Sequence, residues 1–259
     1  MTTSPNEQGI KKPAQTPLLL AEHITKKYGD RTIIRDIGIH LEQGELVSLL
    51  GLSGSGKTTL FHVLSGLQQP EEGSVYLEGE EITGQPGKIS YMLQKDLLLP
   101  HKKIIDNVSL PLVLKGMPKK KAREEAEPYF EPFGLAGTQN QYPSQLSGGM
   151  RQRAALLRTY MSRSRVALLD EPFSALDTIT KSQIHEWYLD VMEKIDLSTL
   201  FVTHDIDEAI LLSDRIYIMT GNPGEITSEL RIRPERNKRK DFTLTEEFLQ
   251  YKREIIEKL

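Results

Sequence analysis

The chain contains no cysteine in its 259 residues. That excludes disulfides and thiolate metal sites and fits a reducing compartment. Long apolar runs are also missing. The longest resemble Leu46 to Leu50 and Leu110-Pro111-Leu112-Val113-Leu114, far short of the 18 or so residues that a membrane-spanning helix needs. Neither sign of charge dominates: 33 Lys and Arg stand against 36 Asp and Glu, a formal net charge of −3. That balance gives no electrostatic case for nucleic acid as a partner. Two basic clusters, Lys119 to Arg123 and Arg236 to Lys240, are not interleaved with aromatics and read as solvated surface. Met1 to Pro17 is polar, holds three prolines and lacks the apolar core of a signal peptide. Residues 1–16 are therefore expected to form a disordered lead-in. The remainder has the composition of an ordinary globular protein, one large domain or two small ones.

Against that background one string stands out: Gly51-Leu52-Ser53-Gly54-Ser55-Gly56-Lys57-Thr58-Thr59. It fits the phosphate-binding pattern G-x-x-x-x-G-K-[ST]. At the ordinary glycine frequency of about 7%, the bare pattern arises by chance roughly once in a hundred chains of this length. Its context lowers that further. Leu46-Val47-Ser48-Leu49-Leu50 reads as a short buried strand, and Thr59 to Leu64 as a helix start. The glycines allow the backbone to wrap phosphate oxygens without Cβ clashes. Exposed N–H groups and the helix N-terminus favour the anion. Lys57 is expected to reach the β/γ-phosphates, and Thr58 to offer its hydroxyl to Mg²⁺.

Around the loop, Leu18 to Ile24 and Thr32 to Leu41 read as strands flanking a Tyr28-Gly29-Asp30 turn. Ser74 to Leu77 and Lys88 to Leu93 read as two more. Residues from about 95 to 160 read as mostly helical. Val166-Ala167-Leu168-Leu169 is a continuous apolar run, as a strand buried on both faces should be. Helix, strand, helix and strand follow through Met219. Leu244, Phe248, Tyr251, Ile255 and Leu259 recur at near-helical spacing, which predicts a final helix packed on the body of the protein.

The apolar run ends in Asp170-Glu171. Asp170 at a strand tip can hold Mg²⁺, and Glu171 can polarise an attacking water. Upstream, Leu146-Ser147-Gly148-Gly149-Met150-Arg151-Gln152-Arg153 opens a helix. Ser147 and the N–H groups of Gly148 and Gly149 there form a second anion site. Phosphate loop, LSGGM-R-Q-R and apolar strand with Asp-Glu, in this order and spacing, resemble the ATPase subunit of an ATP-binding-cassette (ABC) transporter.

The resemblance covers roughly residues 18 to 225 and implies an α/β P-loop NTPase fold. In that fold a RecA-like core carries an antiparallel β subdomain and an inserted helical subdomain. The expected division is a cassette over 17–230 and a C-terminal helical extension over 231–259. The resemblance further implies that Tyr28 stacks on adenine, that Gln94 senses Mg²⁺ and the attacking water, and that His204 contacts the γ-phosphate. Ser174-Ala175-Leu176-Asp177 matches the loop that crosses the dimer interface, with Ser174 and Asp177 at its ends. In the family, Ser147, Gly148 and Gly149 act in trans on ATP held by the phosphate loop of a second ATPase subunit.

The membrane part is then a separate integral-membrane permease, and the chain sits on the inner, cytoplasmic face of the cell membrane. Leu98-Leu99-Pro100 close behind Gln94, Leu110-Pro111-Leu112 and Met150 are similar to the subfamily that imports nitrate, sulfonates, taurine and thiamine precursors. Such systems also use an extracytoplasmic substrate-binding protein. A tryptophan expected near His101 is absent. An exporter or lipid-extraction ATPase would carry the same catalytic motifs. Soluble cassette proteins would add a long coiled coil or a second cassette, and neither is present.

Overall fold

Two sheets of different character frame the molecule, which is a computed structural model describing residues 16–174, 178–195, 197–236, 239 and 241–259. The first sheet is antiparallel. Its strands are β1 (Leu19–Tyr28), β2 (Arg31–Leu41), β4 (Glu72–Leu77) and β5 (Glu80–Glu81), in the order β2-β1-β4-β5. Its polar outer face and alternating burial follow from a sheet covered on one side only. The second has six strands in the order β10-β9-β3-β8-β7-β6. They are β3 (Leu46–Gly51), β6 (Ser90–Met92), β7 (Val166–Asp170), β8 (Ser198–Thr203), β9 (Arg215–Thr220) and β10 (Glu225–Arg231). All pairings are parallel except β9 with β10.

Every residue of β3, β7 and β8 is buried. Apart from Ser48, Asp170, Ser198, Thr199 and Thr203 these strands are apolar, because both faces are covered, and alternate side chains enter different cores. Val47, Leu49, Val166 and Leu168 pack with the antiparallel sheet and with Leu60, Phe61 and Val63 of α1 (Lys57–Leu64). Ala167, Leu169 and Phe201 face the other way, toward α5 (Gly148–Tyr160) and α6 (Thr178–Lys194). Leu50, Ile216 and Ile218 meet α7 (Ile206–Leu212) and the C-terminal α8 (Glu246–Lys258).

The expected helical stretch is more broken than its composition implied. It contains α2 (Ile104–Val108), α3 (Leu110–Leu114), α4 (Lys119–Ala126) and α5, with irregular loop backbone over 95–103 and short 3₁₀ turns at Glu127–Tyr129 and Pro143–Gln145. Prolines 118 and 128 delimit α4, as their missing N–H groups require. Strand β10 was not anticipated. Its alternating Glu225-Ile226-Thr227-Ser228-Glu229-Leu230-Arg231 was the available signal, diluted by an exposed outer face. The final helix forms and buries Phe248 and Ile255, but Leu244 is 87% exposed in the turn before it. Phe242 takes the apolar place that spacing alone had given to Leu244, because the chain has not yet entered helical periodicity there.

Two contacts outside the motifs join the sheets. Gly224, at the β9–β10 connection, donates to the Ile33 carbonyl at 2.8 Å and accepts from Arg35 N at 3.0 Å. A Cβ at Gly224 would collide with the Ser55 carbonyl of the phosphate loop, so only glycine fits. The second is Arg215, which is fully buried. Its Nε and Nη2 donate to the two oxygens of Glu45 at 2.9 and 2.7 Å. Its Nη2 also donates to the His40 carbonyl of β2 at 2.9 Å, and its Nη1 to the Tyr217 hydroxyl at 2.7 Å. Burial and this guanidinium together hold the His40 imidazole below its ordinary pKa.

Breaking a buried ion pair from one side leaves the other charge uncompensated. Arg215→Met should therefore lower stability by about 3–5 kcal/mol, read as thermal or urea unfolding. Adding Glu45→Gln should cost less than the sum of the two single changes. A loss below about 1 kcal/mol for Arg215→Met would place the pair among ordinary surface bridges.

Candidate active site

Parallel pairing levels the C-terminal ends of the central strands, and the sequence motifs lie at those ends. Leu50 pairs with Thr203, Asp170 with Val202 and Met92 with Leu169. The loop after β3, the carboxylates after β7, Gln94 after β6 and His204 after β8 therefore emerge on one edge of the sheet.

The phosphate loop is held in a conformation glycine favours. Gly54 and Gly56 have φ of 84° and 97°, and a Cβ on Gly56 would press on Ile33 and Ile34 of β2. Lys57 is buried and folds back, its Nζ donating to the carbonyls of Gly51 at 2.9 Å and Leu52 at 2.8 Å. Burial lowers its pKa, against the pull of Glu171 and Asp170. Thr58 donates to Asp170 Oδ2 at 3.2 Å, and Tyr91 reaches the same oxygen at 3.3 Å. Burial pushes the Asp170 carboxyl up, with the Thr58 and Tyr91 hydrogen bonds opposing it.

Glu171 adopts φ 46°, a left-handed conformation uncommon outside glycine. Ser174 stabilises this turn, donating from N and Oγ to the Glu171 carbonyl at 3.2 and 3.0 Å. The bend sends the Glu171 carboxylate between Gln94, whose Nε2 donates to it at 2.9 Å, and His204, whose Nδ1 is 3.3 Å away. Strain of this kind costs on the order of 1–3 kcal/mol and clusters at functional sites.

A concavity beside the loop is lined by Ile33, Ser53, Gly54, Gly56, Lys57, Thr58, Thr59, Glu171 and Val202. Its donors suit a polyphosphate; in the loop itself Ser55 Oγ is buried without a hydrogen-bond partner among the described residues. Among those residues no group of three or more His, Asp or Glu could hold a metal. Mg²⁺ is commonly held by one or two protein oxygens together with phosphates. Thr58 and Asp170 offer such a pair. Tyr28, at the end of β1, is 47% exposed, and its hydroxyl donates to Gln68 at 2.6 Å.

The second anion segment does not join the phosphate loop within the chain. Ser147 caps α5 by accepting from Met150 N at 3.3 Å, and both Ser147 and Gly148 are exposed. Gly148 instead lines the neighbouring cleft with Gln94, Arg151, Glu171, Ser174 and His204. Asp177 lies outside the described residues.

Sequence reading missed the residues that hold these groups in place. Asn107 is fully buried. Its Oδ1 accepts from Leu99 N at 2.6 Å, while its Nδ2 donates to the carbonyls of Leu99, Lys102 and Lys103. It thereby fixes the backbone that follows Gln94. Arg158 of α5 donates to the carbonyls of Asp96 and Leu97, and Arg151 to Asp96 Oδ2 at 3.3 Å. The Gln94 segment is thus tied to the helix that begins at Ser147. A buried asparagine after a proline loop and arginines spaced along α5 were the available signals.

Known proteins bear on this geometry. The family described as ABC transporter matches residues 34–174. The chain is 42% identical over 227 residues to the formylaminopyrimidine import ATP-binding protein ThiZ of Halalkalibacterium halodurans, covering 87% of this chain and 89% of the relative. It is 36% identical to the nitrate import ATP-binding protein NrtD of Synechocystis sp., covering 88% of each. Against the aliphatic sulfonates import ATP-binding protein SsuB 2 of Burkholderia cenocepacia it is 39% identical over 83% of this chain and 78% of the relative. Among solved structures, the dimeric post-hydrolysis state of the ATP-binding cassette MJ0796, bound to ADP and Pi, superposes with a TM-score of 0.71 at 29% identity. It covers 84% of this chain and all of the other. Taken with the phosphate loop and the Asp170-Glu171 strand end, these likenesses identify the chain as a member of the ABC transporter family, an ATP-binding cassette with ATPase chemistry.

Proposed function

We propose that this chain is the ATP-hydrolysing subunit of a bacterial importer for a small molecule of the nitrate, sulfonate, taurine or thiamine-precursor kind. The observation that carries the reading is the meeting of Lys57, Thr58, Asp170 and Glu171 at one edge of the parallel sheet, with Gln94 and His204 flanking Glu171. The import names of the relatives support the direction of transport.

ATP bound with Mg²⁺ supplies the γ-phosphoryl group and the negative charge that the loop is built to accept. Lys57 swings from its loop carbonyls to the β/γ-phosphates. Gly51 to Thr59 present N–H groups to the phosphates, and Tyr28 offers its exposed ring to adenine. Thr58, Asp170 and Gln94 hold the cation. Glu171 accepts a proton from, or orients, the attacking water, with Gln94 and His204 fixing its direction.

Because Ser147 lies apart from the loop of its own chain, the site is completed by Ser147, Gly148 and Gly149 of a second ATPase subunit packed head to tail. The loop from Ser174 to Asp177 crosses that interface. Closure and opening of the dimer drive a separate integral-membrane permease, loaded by an extracytoplasmic substrate-binding protein. The segment Lys95 to Asn107, latched by Asn107, docks on the permease at the inner face of the cell membrane.

Lys57→Ala should abolish turnover while circular dichroism shows an intact fold; turnover near wild type would sink the loop assignment. Glu171→Gln keeps shape and hydrogen bonding but removes charge, so hydrolysis should slow by about 10²–10⁴-fold. The variant should gather as an ATP-bound dimer in light scattering, and adding Ser147→Arg should disperse it. Wild-type hydrolysis by Glu171→Gln, alone and with the permease, would refute its role. Charge reversal at Lys102 and Lys103 should weaken permease-stimulated activity more than basal activity; equal losses would argue against docking there.

A further inference from the structure

The helix that follows His204 is short, and cations from three separate parts of the chain hold it. Asp205 caps α7, its Oδ1 accepting from Asp207 N at 2.9 Å and Glu208 N at 3.2 Å. Lys181 of α6 lies 2.8 Å from Asp205 Oδ2 and 2.6 Å from Glu208 Oε1. The other two cations belong to the C-terminal extension. Lys252 of α8 donates to Asp207 Oδ1 at 2.7 Å. Arg239, 2% exposed, donates through Nη1 to the carbonyls of Ile210, Leu211 and Ser213 at 3.3, 3.0 and 2.6 Å, and through Nε to Pro234 O at 2.9 Å.

The last carbonyls of a helix lack intrahelical partners, and a cation there is favoured by the aligned peptide dipoles. Arg239 meets both needs at the C-terminal end of α7, while Lys252 meets an acidic side chain in its first turn. Apolar contact joins the two helices between these points. Phe242, Phe248 and Ile255 pack in one cluster with Ala209 and Ile210. The extension therefore grips α7 at both ends.

Packing alone does not call for a buried arginine. Burial opposes the Arg239 charge and lowers its pKa to about 10. An apolar side chain would fill the space without that penalty. What the guanidinium adds is direction, because a planar fork bonded to several carbonyls fixes a helix end in orientation as well as position.

That orientation reaches the catalytic edge through few bonds. Thr203 donates to Glu208 Oε2 at 2.6 Å and accepts from Asp205 N at 3.0 Å. The residues on both sides of His204 thus move with the first turn of α7. We propose that Arg239 and Lys252 are positioning residues for ATP hydrolysis, which fix α7 and so set the direction in which β8 presents His204 to Glu171. This inference rests on the role given to His204 above.

The test is a mutant cycle in the full chain. Arg239→Met keeps the length of the side chain and removes its donors. It should lower kcat on the order of ten-fold, since a displaced catalytic group can cost up to about 10²-fold. KM for ATP should hold, because the phosphate loop is untouched. In a His204→Ala background, Arg239→Met should change kcat by less than about two-fold, because residues acting through one group are not additive. Losses that multiply in the double variant, or a wild-type kcat in Arg239→Met, would overturn the proposal. If His204→Ala alone turns over at the wild-type rate, the role of His204 and this proposal fall together; Lys57→Ala then reports separately on the ATP site. Should Arg239→Met not fold, Lys252→Ala, at a half-exposed position, enters the same cycle. Its expected loss of kcat is roughly two- to three-fold, again absent without His204, and an unchanged kcat would overturn the proposal.

Discussion

The hydrogen-bond ladder that sets Asp170 opposite Val202 and Leu50 opposite Thr203 brings the ends of β7, β8 and β3 level with one another. All the chemistry depends on that levelling. Asp170 closes β7, Glu171 and His204 each follow directly on a strand end, and Lys57 opens α1 after the loop from β3, so each side chain lies where the backbone leaves the sheet. In a pleated strand a slip of one residue sends every side chain to the opposite face. Slippage here would bury carboxylates in apolar cores and lift leucines into the site. The largely apolar interiors of β3, β7 and β8 guard against this, since each of their two faces has its own core to fill.

The same ladder places charges where burial opposes them. Asp170 is pushed up and Lys57 down, each by desolvation, and the protein's own counterweights are modest. Asp170 has two hydroxyls and Lys57 has two carbonyls. Such an arrangement is poor as structural support and well suited to receiving a polyanion with its cation. The buried Arg215 is the contrasting case, with a bidentate carboxylate, a hydroxyl and a carbonyl around one guanidinium. One set of charges is left open to a ligand, and the other is closed to hold two sheets together.

Much of this was legible in the sequence for a physical reason. Phosphate binding needs glycine, lysine and hydroxyl at fixed local spacing, and a doubly covered parallel strand needs an unbroken apolar run. Gly51 to Thr59 and Val166 to Asp170 carry those demands within a few residues each, so the fold class could be read. Long-range partners could not. Nothing local marks Arg215 as the mate of Glu45, or Arg158 as the anchor of the Asp96 and Leu97 carbonyls, because the partners meet only after folding. Strand β10 escaped because one exposed face dilutes its alternation. Leu244 was misassigned because spacing shows a periodicity but not the residue at which it begins.

Gly224 carries a consequence for where the cassette can be cut. It lies well beyond residue 174, where the family match stops. Yet its missing side chain is what lets the β9–β10 connection lie against the Ser55 carbonyl, while its backbone stitches that connection to β2. A fragment trimmed to the matched span would keep the whole phosphate loop, Gly51 to Thr59, and lose one wall that supports it. The smallest portion able to grip a nucleotide firmly is accordingly larger than its recognisable motifs.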